Sequence, residues 1–67
     1  MNKLQRKALA FAYRVHSLNK GWSAFAGDKL TSDAIYGLHN CRLIKVNNHR
    51  QFKITAFGIE QYLISIK

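Results

Sequence analysis

Residues 42–58, RLIKVNNHRQFKITAFG, place cations along a segment whose apolar residues alternate. Beyond Arg42 at its start, Lys45, Arg50 and Lys53 supply the charge, and Asn47, Asn48, His49 and Gln51 surround the middle with amide and imidazole groups. Ammonium and guanidinium groups among short polar side chains suit phosphate oxygens, the first as a point charge and the second as a bidentate fork. A second polar set, Lys29, Ser32, Tyr36, His39 and Asn40, precedes this segment. Hydroxyl, imidazole and amide groups of that kind can meet base edges or phosphates.

The charge balance of the whole chain points the same way. Eleven Lys and Arg face Asp28, Asp33 and Glu60, a net charge of +8 over 67 residues. Such an excess calls for a polyanionic partner, with nucleic acid first, an anionic membrane surface second and an acidic protein third. A hydrophobic share of 48% is too high for a disordered chain, so a folded domain must present the charge. At this length there is one domain, residues 1–67, with a small core.

Other chemistries lack their residues. No acid or histidine pair stands at i, i+3 or i+4 to form a dyad on one helix face, and there is no glycine-rich phosphate loop. His39 and Cys41, two apart on a helix, point in different directions and are too few for zinc. His16 reads as a satisfied or exposed imidazole. Cys41 reads as a small core residue. We expect no catalysis, no metal and no cofactor. The single cysteine forms no internal disulfide, and no apolar run reaches the roughly 18 residues of a membrane span. The basic-then-apolar start, MNKLQRKALAFAYRV, has charges too frequent for a signal peptide. The expected location is the cytoplasm.

The elements that must position these groups can be read from periodicity. Residues 2–19 predict a helix whose buried stripe is Leu4, Ala8, Phe11, Ala12, Val15 and Leu18, with Lys3, Arg6, Lys7 and Arg14 mostly on the other side. Asn19-Lys20-Gly21 ends it, Gly21 being free to turn left-handed. Residues 22–26, WSAFA, read as a short strand or one irregular turn. Residues 29–41 predict a second helix, capped by Asp28 or Thr31, with Asp33 in its first turn. Its apolar stripe is Leu30, Ala34, Ile35, Leu38 and Cys41, and Gly37 permits close packing. In the hairpin, 43–47 and 51–54, one buried face requires Ile44 opposite Ile54 and Val46 opposite Phe52. That register pairs Asn47 with Gln51 and leaves Asn48, His49 and Arg50 as a loop. Asn tolerates the left-handed position such a loop needs. Lys45 and Lys53 then share the outer face, with Arg50 at the tip. Residues 56–66 predict a last helix, capped by Thr55, with a stripe of Ile59, Tyr62, Leu63 and Ile66.

This order resembles a winged helix-turn-helix domain, an α+β fold, in a compact single-domain form. The nearest patterns are those of MarR-like and PadR-like transcription factors. The family's "GLI" exit from the recognition helix reads Arg42-Leu43-Ile44 here, and its "LTxxG" turn reads Ile54-Thr55-Ala56-Phe57-Gly58. The match covers residues of about 29–63. Arg42 departs from the usual glycine, and the span before the second helix is short for an extra helix, so WSAFA would stand in for it. The resemblance implies double-stranded DNA as partner, with residues 29–41 in the major groove and the hairpin on the backbone. It implies a small transcriptional regulator of the kind that phage-like genomes carry.

Two further expectations concern partners. Symmetric operators favour a homodimer, formed through the first or last helix, where Phe57 and Ile64 fall off the main stripe. The alternative to DNA is an adaptor or inhibitor that binds a partner protein through Trp22, Phe25 and Phe57.

Overall fold

A computed structural model of the chain describes residues 2–66. Its elements are α1 (Lys3–Ser17), β1 (Ser23–Ala24), α2 (Lys29–Asn40), β2 (Ile44–Val46), β3 (Gln51–Ile54) and α3 (Ala56–Ser65). The fold is α+β, with three helices and a three-stranded antiparallel sheet of order β1-β3-β2. The shortest dimension is 16 Å, room for one layer of helices on one sheet. The sheet therefore has a covered face and an open one.

Each helix starts where a side chain satisfies its free amides. Asn2 and Gln5 form a reciprocal box at α1: the Gln5 amide donates to Asn2 Oδ1 at 2.8 Å and the Asn2 amide to Gln5 Oε1 at 3.1 Å. Thr55 Oγ1 accepts from the Gly58 amide at 2.9 Å to start α3. At α2 the cap is Asp28, whose carboxylate accepts from the Thr31 amide at 3.0 Å. Asp33 lies beyond the first turn of that helix, a correction to its expected place near the positive end of the dipole. The amide of Thr31 holds the Asp28 carboxyl below its usual 3.8. A lowered value stabilises the cap above the ordinary carboxylate range, and this support is lost as pH falls through the lowered value. We expect the Thr31 amide resonance to move only as pH falls below 3.8, and before the core unfolds, in an NMR titration.

The core is Leu9 and Ala12 of α1, Ile35 and Leu38 of α2, Leu43, and the hairpin residues Ile44, Phe52 and Ile54. Tyr13 stacks on Tyr62 of α3 at 4.7 Å between centroids, which joins α1 to α3. Ala8, Phe25, Val46 and Ile59 pack around this centre.

Several apolar positions differ from the expected stripes. On α1, Leu9 is buried while Leu4, Phe11 and Leu18 are exposed, the last two at 52% and 57%. The helix is turned so that Leu9, Ala12 and Tyr13 meet the sheet and α3. On α2, Ala34, Ile35 and Leu38 are buried, but Leu30 is 73% exposed and Cys41, which caps the end, is exposed. On α3, Gly58 is buried and Ile59 and Tyr62 are half-buried, whereas Leu63 and Ile66 face outward. The helix packs along one side only, with nothing beyond it. At Gly37 a Cβ would meet only the side-chain amide of Gln5 from α1, a neighbour free to move.

Residues 22–26 are resolved in favour of a strand. Ser23 and Ala24 pair with Phe52 and Gln51, so WSAFA supplies the third strand of the sheet and does not stand in for a helix. Phe25 follows it, with its amide donating to Arg50 O at 3.0 Å.

Candidate nucleic-acid interface

The hairpin has the register that its alternation requires. Ile44 pairs with Ile54, Lys45 with Lys53 and Val46 with Phe52. Ile44, Phe52 and Ile54 are buried, so the alternate residues Lys45 and Lys53 lie on the open face of the sheet, Lys45 exposed and Lys53 half-buried between its neighbouring strands. Two ammonium groups directly opposite one another repel, which costs stability unless something anionic sits between them.

The turn is built differently from the expectation that asparagine takes the left-handed position. Arg50 holds it, at φ 54°. Asn48, the loop's own asparagine, does not. Asn47, at the end of the strand, shapes the turn: its Oδ1 accepts from the amides of His49, at 2.9 Å, and Gln51, at 3.2 Å, and its Nδ2 donates to Gln51 Oε1 at 2.8 Å. These bonds fold the loop back on itself, so the Asn47 and Gln51 side chains shape the tip. Asn48 and His49 project from it, exposed.

Arg50 does not extend from the tip. A Cβ placed on Gly27 would meet its guanidinium, so the Arg50 side chain lies back over the residues that lead into α2. A second link ties the other end of α2 to the hairpin, with His39 Nδ1 3.3 Å from Ile44 O. Donation from Nδ1 to that carbonyl would leave Nε2 as the outward atom. The hairpin is thus held against both ends of α2.

Along α2, Lys29, Asp33, Tyr36 and Asn40 recur at i, i+4, i+7 and i+11 and are all exposed. They form one outer stripe, with Ser32 half-buried and His39 exposed beside it. Tyr36 is braced by its neighbours, its ring edge-on to Phe25 at 6.2 Å and to His39 at 6.4 Å. Phe25, expected to belong to an exposed aromatic patch, instead packs into the core against Phe52. Trp22 and Phe57 do stay exposed.

One residue of this region was not singled out from the sequence. Arg42, between α2 and β2, adopts φ 63°, and its carbonyl accepts the Thr55 hydroxyl at 2.7 Å. A left-handed arginine costs on the order of 1 kcal/mol relative to glycine. The signal was present as the departure at Arg42 from the glycine that the resemblance leads one to expect. Arg42 and Arg50 both pay this conformational cost, and both flank the strands that carry Lys45 and Lys53.

No family model, curated protein or solved structure matches this chain. Among the described residues no group of three or more His, Cys, Asp or Glu could hold a metal ion, and no helix is long and apolar enough to cross a membrane.

Proposed function

We propose that the chain is a compact winged-helix protein that binds double-stranded DNA, with α2 in the major groove and the β2–β3 hairpin on the phosphate backbone. The observation that carries this reading is the placement of cations where they cost stability. Lys45 sits across from Lys53, and Arg42 and Arg50 occupy left-handed backbone positions at the two ends of the hairpin. A surface selected only for solubility would avoid all three costs. Phosphates turn the lysine repulsion into attraction.

The stripe on α2 supplies the groups that base edges require. Asn40 suits adenine, and Tyr36 offers a hydroxyl held rigidly by Phe25. Asp33, the acid in the same stripe, is repelled by phosphates but accepts well from the cytosine amino group. Lys29, Ser32 and His39 flank them, and Asn48 and His49 are free to donate from the tip. We read the protein as a small regulator, cytoplasmic and of phage-like type. Two copies would pair on a symmetric site through the outer face of α3, where Phe57 and Ile64 are exposed and no Lys or Arg intervenes.

A fluorescence-anisotropy titration against random and symmetric duplexes at two salt concentrations tests this. Affinity should fall steeply between 50 and 200 mM salt, by about a factor of 10³ if six phosphates are contacted. Symmetric duplex should take up two chains. The exposed Trp22 and Phe57 favour the second reading, a protein-binding adaptor, and salt-insensitive capture of a partner with no uptake of duplex would establish it instead.

A further inference from the structure

Between α1 and α3, on the side away from α2 and the open face of the sheet, lies a trough that the DNA reading does not use. One hollow, of about 470 Å³, is lined by Arg6, Leu9 and Ala10 of α1 and by Tyr62, Ser65 and Ile66 at the α3 end. A second, of about 420 Å³, continues along α1 past Tyr13 and Arg14 to Ser17. They share Ala10 and Tyr62 and so adjoin along the surface of α1. From Arg6 to Ser17 the trough runs about 16 Å at 1.5 Å per residue, the length of three helical turns. Its floor is apolar, and Ala10 leaves the middle shallow enough for another backbone to approach. Arg6 and Arg14 flank that floor about 12 Å apart along the helix.

We propose that this trough docks an acidic amphipathic helix of another protein. Three observations select that occupant. The length and the apolar floor fit one face of a helix laid into a groove. The flanking arginines, two turns apart, match carboxylates spaced seven or eight residues apart on the incoming helix. Finally, α1 contains no acidic residue, so nothing on that wall neutralises the arginines. A second copy of the chain is a poor occupant. It carries +8, and its only acid outside the α2 region is Glu60, one carboxylate for two guanidiniums. The proposal stands apart from DNA binding, since it uses none of the residues of α2 or the hairpin.

The probe is a synthetic 20-residue peptide with leucines at helical spacing and glutamates on both flanks, labelled with fluorescein. A scrambled peptide of the same composition and a version with lysine in place of glutamate serve as controls. The glutamate peptide should bind in the micromolar range and the two controls should not. Arg6→Glu/Arg14→Glu should weaken it by about tenfold. Ala10→Trp should abolish binding by filling the trough. Both variants should keep the amide spectrum of the folded protein and their affinity for duplex DNA within about twofold, and amide shifts caused by the peptide should map to α1 and α3. Equal binding of the scrambled peptide would overturn the proposal. So would shifts confined to α2 and the hairpin, which would show the acids imitating phosphates there. A protein mass that rises with concentration and reverts in Ala10→Trp would also overturn it, by placing a second copy in the trough.

Discussion

Gly58→Ala should be the most damaging small substitution in this chain. A Cβ at Gly58 would run into the carbonyl oxygen of Leu43, with Ile54 Cγ1 at 2.8 Å and the Leu43 carbonyl carbon at 2.9 Å. The backbone there has no room to retreat. Leu43 O already accepts from the Thr55 amide and hydroxyl, both at 3.1 Å, and the Leu43 side chain is buried. Overpacking against such a site costs about 3 kcal/mol. Native stability at this length is roughly 3–10 kcal/mol at the usual value per residue. Much of it would go. The contrast is Gly37→Ala, also in mid-helix, where the obstacle is the end of the flexible Gln5 side chain. The Gln5 amide can swing aside, and the better helix propensity of alanine offsets about 1 kcal/mol. Urea unfolding should therefore show the midpoint falling by about 2–3 M for Gly58→Ala, at a slope near 1 kcal/mol/M, and hardly moving for Gly37→Ala. Equal midpoints would mean that α3 does not rest on Leu43.

That contact explains the "ITAFG" run in physical terms. Thr55 caps α3 through Gly58 and at the same time bonds the Arg42 and Leu43 carbonyls, so one side chain ties the start of the last helix to the start of the hairpin. The sequence announces the cap but not the tie, because the tie joins residues 12 and 13 positions apart.

The hairpin was legible because its side-chain period is two. A slip of one residue would have turned Ile44, Val46, Phe52 and Ile54 toward water, so only one register was tolerable. Helix faces carry no such veto. On α1, apolar residues at 4, 8, 9, 11, 12, 13 and 15 offer two overlapping stripes, and the periodicity favours the one through Leu4, Phe11 and Leu18. The burial of Leu9 is decided by the core it joins, built from α2 and the hairpin, which no local pattern encodes. The same holds for Leu63 and Ile66, apolar at the right spacing but with no layer to meet. β1 was undecided for a different reason. Two residues carry no period, and their strand exists only because β3 has a free edge.

The candidate interface was legible as residue types and less so as conformations. Lys45 and Lys53 could be placed opposite each other from alternation alone. The side chain of Arg50 could not. Its fold back over Gly27 joins residues 23 positions apart, and alternation encodes neither that contact nor the left-handed backbone of Arg50 at the end of the loop.

If the hairpin holds phosphates, removing its costly cations should raise stability and lower affinity together. Lys45→Thr deletes the repulsion with Lys53 and introduces a residue that favours strands, a gain of about 0.5 kcal/mol. Arg42→Gly relieves the left-handed backbone at φ 63°, a gain of up to about 0.5 kcal/mol after the greater freedom of glycine in the unfolded chain is subtracted. The double variant should thus unfold at higher urea than the natural chain. On DNA it should behave in the opposite sense. Two lost phosphate contacts flatten the plot of log affinity against log salt by about 1.8 and weaken binding about equally on every duplex, because phosphates do not vary along the helix. Asn40→Ala provides the comparison. It should leave the salt slope alone and cost about 1–3 kcal/mol on a preferred site, with little effect on random sequence. Opposed signs in stability and affinity are the diagnostic, since a purely structural role for these cations predicts losses in both. A double variant that is more stable and binds duplex with unchanged slope would show that the cations were never phosphate ligands, and the winged-helix reading of this chain would lose its main support.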